Sequence, residues 1–444
     1  MKQILTLLFL CLFSSVLVFG QASGEIQGKV TDAKSGEPIP YANVNVTING
    51  ALAGIATDFD GFYSIKPIPA GEYTVKVSFV GYATQQIEKV LVRTDKITFL
   101  DVQLNEEGTV LDVVEIVAYK VPLLQTDETA TGGTITKEEI QNLPTRNVQS
   151  IASQTAGVYQ ADEGSNLNVR GARAEATDYY IDGIKVRGSS TLPASAIEQL
   201  SVITGGLPAR YGDATGGVIN ITTRGPSSTF SGGIELVTSK FLEAYDYNLA
   251  NFSLAGPIAK IGKDKSNRRT LLGFFVSGEY LHEKDDDPSA VGIWKVKDDV
   301  LADITATPLV RSENNTGFTK VVDLLTAENF EKVKAKQNVT KDNISLAGKI
   351  DFQPVTNINF VLGGNLNIEK GGAVGRSAGY RDLMRRYEVY NWEHSPLVTA
   401  NVYRGYARFT QRFANPAPPK EGETRKASPL QNAYYSVQFD YTRS

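Results

Sequence analysis

Apolar and polar residues alternate with a period of two in the region that follows the first twenty residues. The alternation is clear over 42–48 (ANVNVTI) and again over 73–79 (YTVKVSF). Turn-forming pairs such as Asp60-Gly61 and Ala70-Gly71 separate these runs. Short alternating strands joined by Gly-containing turns are typical of a sandwich with one buried face per sheet. The pattern therefore predicts a small β-sandwich over residues 21–106.

The pattern changes between residues 136 and 225, where short helical signals lie among strands. Thr136 and Glu139 have the spacing of a capping box, and Pro144 ends the helix that they begin. Two further short helices are predicted, one around 148–152 and one over 193–200. The predicted strands of this segment are 179–184, 201–203 and 218–221. The order of these elements predicts an α/β domain.

Longer alternating strands begin after Phe230. Residues 272–280, 344–352, 358–366 and 435–441 each alternate apolar and polar side chains. Strands of about ten residues with one apolar and one polar face fit a membrane β-barrel. A soluble antiparallel sandwich is the alternative, because periodicity alone does not separate the two. We count roughly seven or eight such strands in the sequence by this criterion.

Three polar stretches interrupt the long strands, at 283–342, 371–386 and 415–428. In a barrel they would be the outer loops that meet a ligand. A helix is predicted over 324–335 within the first stretch. The triplet Asp285-Asp286-Asp287 could bind a cation, although a solvated loop is the favoured interpretation.

The charge balance and the scarcity of histidine exclude several classes of function. The 444 residues include 45 Lys and Arg against 49 Asp and Glu, a net charge of -4, so no positive field is available to hold nucleic acid. The two histidines, His282 and His394, lie far apart, which argues against zinc sites and nucleophile–base catalysis. Asp60-Gly61 lacks the other ligands of a calcium loop, and the Gly-rich run 204–217 lacks the order of a phosphate loop. We therefore predict no catalytic residue, no metal, no cofactor and no enzymatic activity.

The first twenty residues predict export. Lys2 precedes an apolar run over 4–19, and the small residue Gly20 suits cleavage by a signal peptidase. Cys11, the only cysteine, lies within this predicted signal peptide (1–20) and would be removed with it. No later run approaches the ~18 consecutive apolar residues of a spanning helix. An exported chain of this kind is free, lipid-anchored or inserted as a β-barrel.

Six short motifs follow one another in the sandwich. They are Gly28-Lys29-Val30-Thr31-Asp32, Gly36-Glu37-Pro38-Ile39, Ala42-Asn43-Val44, Thr57-Asp58-Phe59-Asp60-Gly61-Phe62-Tyr63, Gly71-Glu72-Tyr73 and Val80-Gly81-Tyr82. Together they resemble the carboxypeptidase-regulatory-like domain, which has a transthyretin-like fold. The resemblance implies a periplasmic accessory module without peptidase activity.

Several motifs in the α/β domain also stand in a characteristic order. They are Asn168-Val169-Arg170-Gly171, Tyr180-Ile181-Asp182-Gly183-Ile184, Ala196-Ile197-Glu198-Gln199-Leu200 and Gly216-Gly217-Val218-Ile219-Asn220-Ile221-Thr222-Thr223-Arg224. They resemble the plug domain of TonB-dependent outer-membrane receptors. The resemblance assigns residues 136–225 to the plug. It marks as motif residues Arg170, Gly171, Asp182, Gly183, Glu198, Gly205, Gly206, Arg210, Tyr211, Gly212, Gly216, Gly217 and Asn220.

Four of these motif residues are charged, and two interpretations of their role stay open. Arg170, Asp182, Glu198 and Arg210 could form ion pairs between plug and barrel, or within the plug, that loosen during transport. Ordinary surface or internal pairing, which contributes little, is the alternative.

A short apolar strand stands in the polar linker 107–135. Taken alone, it is either a template for pairing with another protein's sheet edge or a strand of a neighbouring domain. The plug resemblance implies that it is the TonB box, which pairs with a strand of the energy-coupling protein TonB. The candidate box residues are Val113, Val114, Glu115, Ile116 and Val117.

The predicted fold class is mainly β: a small transthyretin-like β-sandwich, an α/β plug domain and the first strands of a transmembrane antiparallel β-barrel over 226–444. The order sandwich, box and plug is similar to receptors of Bacteroidota. About eight strands cannot enclose a plug, and plugged transporters have about 22, so we expect the front portion of a longer receptor or a truncated product.

The resemblance implies a TonB-dependent outer-membrane receptor for energised uptake of a scarce extracellular ligand. The implied partners are TonB, outer-membrane lipid and an unknown ligand, with the first two domains in the periplasm. A surface adhesion or export-docking protein that transports nothing is the alternative.

Overall fold

The structure of the chain is a computed structural model that describes residues 23–444 with gaps. The residues outside it are 1–22, 49–50, 95, 107–114, 119–130, 162, 187–190, 209–210, 213, 245, 263–267, 286–287, 315, 356, 373–391, 393–396 and 414–432. At 51–52, 115–118 and 372 the structure describes the backbone alone. The predicted signal peptide therefore lies outside the described residues.

The first domain is a β-sandwich of nine strands in two sheets. The strands are β1 (Ser23–Asp32), β2 (Asn43–Ile48), β3 (Ala51–Ala56), β4 (Phe62–Pro69), β5 (Gly71–Ser78), β6 (Gln85–Val92), β7 (Ile97–Phe99), β8 (Val102–Leu104) and β9 (Glu115–Ala118). One sheet contains β4, β1, β7 and β8, and the other has the order β3-β2-β5-β6-β9. Val44, Val46 and Val75 are completely buried between the sheets, whereas Asn43 and Thr47 are exposed, as the alternation predicts.

The second domain combines a five-stranded sheet with short helices. Its elements are β10 (Thr131–Thr136), α1 (Lys137–Asn142), α2 (Val148–Ala152), β11 (Val158–Gln160), β12 (Leu167–Val169), β13 (Asp178–Ile181), β14 (Ile184–Val186), β15 (Ile197–Gly205) and β16 (Val218–Thr223). The sheet has the order β10-β15-β16-β13-β14. The predicted capping box is present, because the Thr136 hydroxyl accepts from the Glu139 amide and the Glu139 carboxylate accepts from the Thr136 amide.

The helix predicted over 193–200 is wrong beyond its first turn. A single 3-10 turn covers Ala194–Ala196, and β15 begins at Ile197. Nearly every residue of β15 is buried, because the strand lies between β10 and β16 and both of its faces are covered. An apolar run that is buried on both faces lacks the alternation that distinguishes a strand from a helix.

The third part of the chain consists mainly of long strands. Its strands are β17 (Ser231–Thr238), β18 (Asn248–Ile261), β19 (Arg269–Glu283), β20 (Ile293–Val296), β21 (Leu309–Arg311), β22 (Phe318–Lys320), β23 (Phe330–Val333), β24 (Lys341–Val355), β25 (Ile358–Gly372), β26 (Leu397–Arg412) and β27 (Tyr434–Arg443). Seven of them form one antiparallel sheet, β17-β18-β19-β24-β25-β26-β27, which does not close on itself within the described residues. We call it the long-strand sheet. The predicted mainly β fold class is confirmed.

The two faces of the long-strand sheet differ in character. The face toward the α/β domain buries the polar side chains Asn251, Ser277, Ser345, Asn367, Arg404, Arg408 and Thr410. The other face exposes the large apolar or aromatic side chains Phe252, Leu254, Tyr280, Ile344, Leu346, Ile350, Phe352, Phe360, Leu362, Tyr403, Phe439 and Tyr441. A soluble sandwich has the opposite arrangement, with apolar side chains between its layers. The soluble alternative is therefore not the arrangement found.

A few apolar side chains of the long-strand sheet pack into the core of the α/β domain. Ala255, Phe275 and Ala347 belong to the same buried cluster as Ile197 and Ile219. Two of the three are alanines, so the apolar contribution of the sheet to this core is small. The rest of the contact between the two parts is polar.

The connections of the long-strand sheet divide between its two ends. Residues 239–247, 284–340 and 373–396 connect strands at one end, and residues 262–268 and 356–357 at the other. The predicted outer loop at 415–428 lies outside the described residues. Arg412 pairs with Tyr434, so the connection between β26 and β27 begins and ends at the end that carries the short connections.

The helix predicted over 324–335 is also wrong. In the described part of the segment between β19 and β24, the α-helix is α3 (Asp298–Ala306). Residues 324–335 contain a 3-10 turn at Ala327–Asn329 and then β23, which pairs with β20. This strand pairing overrides the helical pattern of the isolated sequence.

Candidate functional site

The hairpin between β13 and β14 carries Asp182 to the surface of the α/β domain that faces the long-strand sheet. Its two-residue turn consists of Asp182 (φ 50°) and Gly183 (φ 83°). Two successive residues with positive φ are what a type I′ hairpin turn requires, and Asp-Gly is among the pairs that adopt it readily. Two motif residues singled out from the sequence therefore form the tip of this hairpin.

The Asp182 carboxylate is buried in a polar cluster that both parts of the chain build. Its Oδ2 accepts from the Thr223 hydroxyl at 2.7 Å and from the Tyr406 hydroxyl at 3.0 Å, and its Oδ1 accepts from the Thr223 amide at 3.0 Å. The Lys349 ammonium lies 3.4 Å from Oδ2, and an Arg408 guanidinium NH₂ donates to the backbone carbonyl of Asp182. We call these five residues the Asp182 cluster.

The electrostatics of the Asp182 cluster favour the ionised carboxylate. Asp182 is 3% exposed, and this burial by itself disfavours the charge. Lys349 and Arg408 outweigh the burial, with help from the hydrogen bonds of Thr223, so the pKa of Asp182 lies below its ordinary value. Lys349 also donates to the Thr223 carbonyl at 3.1 Å, which ties the end of β16 to the same point.

A second polar contact joins the α/β domain to β17, β18 and β19. Arg146, in the connection between α1 and α2, pairs with Glu235 and lies 4.0 Å from Glu279. The Asn251 amide donates to Glu279 at 2.9 Å, and the Ser195 hydroxyl donates to Asn251 at 2.8 Å. Sequence reasoning missed this group, which we call the Arg146 cluster. The sequence feature that could have revealed it is the row of polar residues on the plug-facing side of β18 and β19.

The other charged motif residues behave differently. Glu198 lies 3.7 Å from Arg224, which follows β16 in the same domain, and burial raises the pKa of Glu198. Arg170 donates to the Thr131 hydroxyl at 2.6 Å. Arg210 lies outside the described residues. Among the predicted charges in the described part, Asp182 is thus the one that contacts the long-strand sheet directly.

The remaining motif residues shape the interior of the α/β domain. A Cβ at Gly217 would lie 2.6 Å from a Val169 methyl, and one at Gly216 would lie 2.7 Å from the Ala176 carbonyl oxygen. Tyr211 packs edge-on against Tyr180 with ring centroids 4.8 Å apart. The other members are Gly171, Gly205, Gly206 and Gly212, in turns or at the end of β15, and Asn220, buried in β16.

The candidate box falls partly within the described residues. Val113 and Val114 lie outside them, whereas Glu115, Ile116 and Val117 belong to β9. β9 pairs in parallel with β6, with Ile116 opposite Gln86. It is the edge strand of its sheet, next to the linker that leads to β10.

The sandwich contacts the α/β domain near the end of β16. The hydroxyls of Thr94 and Thr222 are 2.7 Å apart, and both residues are buried. Burial raises the pKa of Tyr73 on β5, and Glu198 adds to this effect while Arg412 of β26 opposes it. The sandwich therefore lies at the end of the long-strand sheet that carries the short connections.

The structure describes one residue of the acidic triplet, Asp285. Asp285 is fully buried and accepts from the Lys336 amide at 2.8 Å, while Asp286 and Asp287 lie outside the described residues. Among the described residues, no group of three or more His, Cys, Asp and Glu side chains could hold a metal ion. None of the helices seen in the structure is long and apolar enough to cross a membrane.

Two family models match the chain. Residues 26–116 match the CarboxypepD_reg-like domain, and residues 124–218 match the TonB-dependent Receptor Plug Domain. The chain carries a TonB-dependent receptor plug. The resemblance read from the sequence motifs is thereby confirmed, and the cellular location is the outer membrane. We refer to the α/β domain as the plug from here on.

The relatives of the chain are transporters and receptors. It is 31% identical over 245 residues to TonB-dependent transporter Oar of Myxococcus xanthus, covering 49% of this chain and 22% of Oar. It is 30% identical over 233 residues to TonB-dependent receptor P39 of Formosa agariphila, covering 50% of this chain and 22% of P39. The matched half of the chain therefore spans about a fifth of the length of these relatives.

Solved structures of receptors also align with the chain. The siderophore receptor PirA from Acinetobacter baumannii aligns with a TM-score of 0.40 and 18% identity, covering 70% of this chain and 44% of PirA. The siderophore receptor PirA from Pseudomonas aeruginosa aligns with a TM-score of 0.39 and 18% identity, covering 70% and 40%.

Proposed function

We propose that this chain acts as part of a TonB-dependent receptor that takes up a scarce extracellular ligand across the outer membrane. The observation that carries the proposal is the Asp182 cluster, which holds a plug against a sheet whose opposite face is apolar. The named relatives, TonB-dependent transporter Oar and TonB-dependent receptor P39, support the same function.

The apolar face of the long-strand sheet supports a position in the lipid bilayer. In water, a continuous apolar surface of this extent would be an aggregation hazard. In an outer-membrane barrel the outward face is apolar and the inner face is polar. Lipid is therefore the partner that we propose for the exposed face.

The position of β9 supports a role for the candidate box in coupling to TonB. A strand at the edge of a sheet can leave its neighbour and add to the edge of another sheet. TonB would capture β9 in this way and pull on the linker that leads to β10. Because β10 pairs with β15, the pull would reach the plug sheet and then the Asp182 cluster.

Transport of this kind needs no covalent chemistry from the protein. The named relatives are a transporter and a receptor, so we propose a receptor and not an enzyme. The work comes from the pull on β10, and the polar contacts between plug and sheet must break and re-form in each cycle.

The coupling role is tested by deleting residues 113–117 from the complete gene. The periplasmic domain of TonB, immobilised on beads, should capture the unaltered receptor and lose the deleted one. Deletion of the equally long linker stretch 125–129 is the matched control and should leave capture intact. Equal capture of both deleted receptors would contradict the proposal.

A surface-binding protein without transport is the second candidate. It is favoured by the folded segment between β19 and β24, which exposes the aromatic rings of Trp294 and Phe318. A protein that binds without transport has no need for TonB, so box-independent behaviour in the capture experiment would favour it.

A further inference from the structure

Cationic side chains recur on the face of β26 that points toward the plug. Arg404, Arg408 and Arg412 are spaced four residues apart, so they project from the same face of the strand. Lys349 of β24 lies close enough to Arg408 for the two charges to interact. We call these four residues the basic stripe. It runs from the middle of the sheet to the end where the sandwich lies.

The carboxylates that the sheet itself supplies do not balance the basic stripe. In the described part of the chain, the carboxylates that interact with it are Asp351 of β24, Asp440 of β27, and Asp182 and Glu198 of the plug. Asp182 and Glu198 belong to the plug, and Asp182 is the one that contacts the stripe directly. If the plug hairpin withdraws, its negative charge leaves and the excess of positive charge on the sheet grows.

Arg404 is the member of the basic stripe with unused hydrogen-bonding capacity. The residue is 6% exposed; its Nη1 donates to the side-chain Oδ1 of Asn365 and its Nε donates to the Thr442 hydroxyl, each at 3.4 Å. Its Nη2 is buried and has no partner among the described residues. Arg404 lines a small cavity together with Asp182, Asn365 and Tyr406. A buried donor without an acceptor is unfavourable, so the cavity suits an anionic oxygen.

We propose that the basic stripe binds the anionic groups of the transported ligand when the Asp182 hairpin withdraws. In the docked plug, the Asp182 carboxylate occupies the place that the ligand's anionic group takes during passage. The ligand class that fits is a molecule with several carboxylate, phosphate or sulfate groups, because guanidinium groups bind such oxyanions in bidentate geometry.

This inference rests on the proposed function, since it assumes that the plug moves. It is nevertheless testable apart from TonB. The test uses citrate as the anionic probe and the full chain purified in detergent, with binding measured by titration calorimetry at low ionic strength. Loss of TonB capture and loss of citrate binding are separate outcomes, so failure of one does not imply failure of the other.

The Asp182→Asn variant removes the competing carboxylate and should bind citrate at least about tenfold more tightly than the unaltered chain. The reason is that removing one nearby negative charge at a partly buried site changes the affinity for an anion by more than about tenfold. Adding Arg404→Gln to Asp182→Asn should abolish the gain. The matched control adds Arg443→Gln, because Arg443 pairs with Tyr403 on the apolar face, and it should keep the gain. The inference would be overturned if Asp182→Asn did not bind citrate more tightly. It would also be overturned if adding Arg404→Gln and adding Arg443→Gln reduced the gain in affinity equally.

A second measurement needs no variant. Citrate that competes with Asp182 binds the withdrawn state of the plug and should lower the urea concentration at which the plug of the unaltered chain is released. Sodium chloride at matched ionic strength is the control and should lower this concentration less. Equal effects of the two salts would contradict a specific anion site.

Discussion

Asp182 and Lys349 meet where water screens their charges poorly. Lys349 is 13% exposed in its side chain and Asp182 is 3% exposed, so each would lose its main opposite charge in a buried place without the other. Removing one partner from such a pair typically costs about 3–5 kcal/mol. The Arg146–Glu235 pair is far more exposed and belongs to the class that contributes about 1 kcal/mol or less. The Asp182 cluster should therefore dominate the attachment of the plug.

Replacement of Lys349 by Met should lower the free energy of plug release by about 3 kcal/mol, because Asp182 then keeps Arg408 as its remaining cationic contact. Urea titration of the purified receptor, followed by limited proteolysis of the released plug, measures this change. Lys341→Met is the matched control, since Lys341 lies 3.9 Å from Glu283 in a more exposed pair and should change the free energy by less than about 1 kcal/mol.

The same variant has a pH signature. Because the pKa of Asp182 lies below its ordinary value of 3.8, its contribution to docking is complete above that value and is lost as the pH falls through the lowered pKa. The difference between the unaltered receptor and Lys349→Met should therefore be full at neutral pH and shrink in strong acid. A difference that stays constant across this range would argue against the Asp182 charge as its source.

Sequence reasoning at the level of residues identified one half of the site. Asp182 stands out because Asp-Gly between two strands is a turn signal and part of a recognisable motif. Its partners Lys349 and Tyr406 lie 167 and 224 residues further along the chain, and no local pattern links them to it. Arg146 was missed for the same reason, because its partners Glu235 and Glu279 belong to strands of another part of the chain.

β9 illustrates how one strand can have two partners. It pairs with β6 by a short parallel ladder at the edge of the sandwich, and such short edge pairings are easily opened. The same backbone groups would pair with TonB. Under the proposed function, TonB would have to displace this pairing, so the sandwich would set the free-energy cost of capture.

Locking β9 to β6 should block capture by TonB. Gln86 and Ile116 are directly opposite, so Gln86→Cys with Ile116→Cys allows a disulfide to be formed and reduced. The variant receptor should not bind to TonB-coated beads when its disulfide is formed, and it should bind to them when the disulfide is reduced. Asn43→Cys with Ser78→Cys, which locks β2 to β5, is the matched control and should bind in both states. Binding of the oxidised Gln86–Ile116 receptor would show that β9 does not need to leave β6.

The sequence predicted strands correctly where one face of the strand is buried. It predicted them incorrectly where pairing with a neighbouring strand determines the structure. The alternation in β2, β5, β24 and β25 follows from a single buried or lipid-facing side, and the structure agrees with it. The first four residues of β15 and all of β23 were predicted as helical. β15 is covered on both faces, and β23 exists because β20 lies beside it, so neither carries a local signal of its own.

The long-strand sheet gives the whole molecule its orientation. Large apolar side chains cover one face, and the plug, the sandwich and the polar clusters lie on the other face or at one end. Sequence periodicity predicted the alternation, but it could not say which face would meet the plug. That choice depends on polar partners supplied by a different part of the chain.

A charge on the apolar face should impair insertion into the outer membrane. Leu346→Lys should destabilise the inserted state by about 2–4 kcal/mol if residue 346 lies near the middle of the bilayer. Folding into lipid vesicles, followed by the electrophoretic shift between unheated and heated samples, measures this effect. Leu309→Lys, in the exposed strand β21 outside the sheet, is the matched control and should insert normally. Normal insertion of both variants would place the apolar face away from lipid.

The Asp182 and Arg146 clusters have opposite polarity. In the first the plug supplies the anion and the sheet the cations, and in the second the plug supplies the cation and the sheet the anions. A plug turned the wrong way during biogenesis would bring Asp182 toward Glu279 and Arg146 toward the arginines of β26. Repulsion at both places would disfavour that pose, so the opposite polarity of the two clusters favours the orientation of the plug that the structure shows.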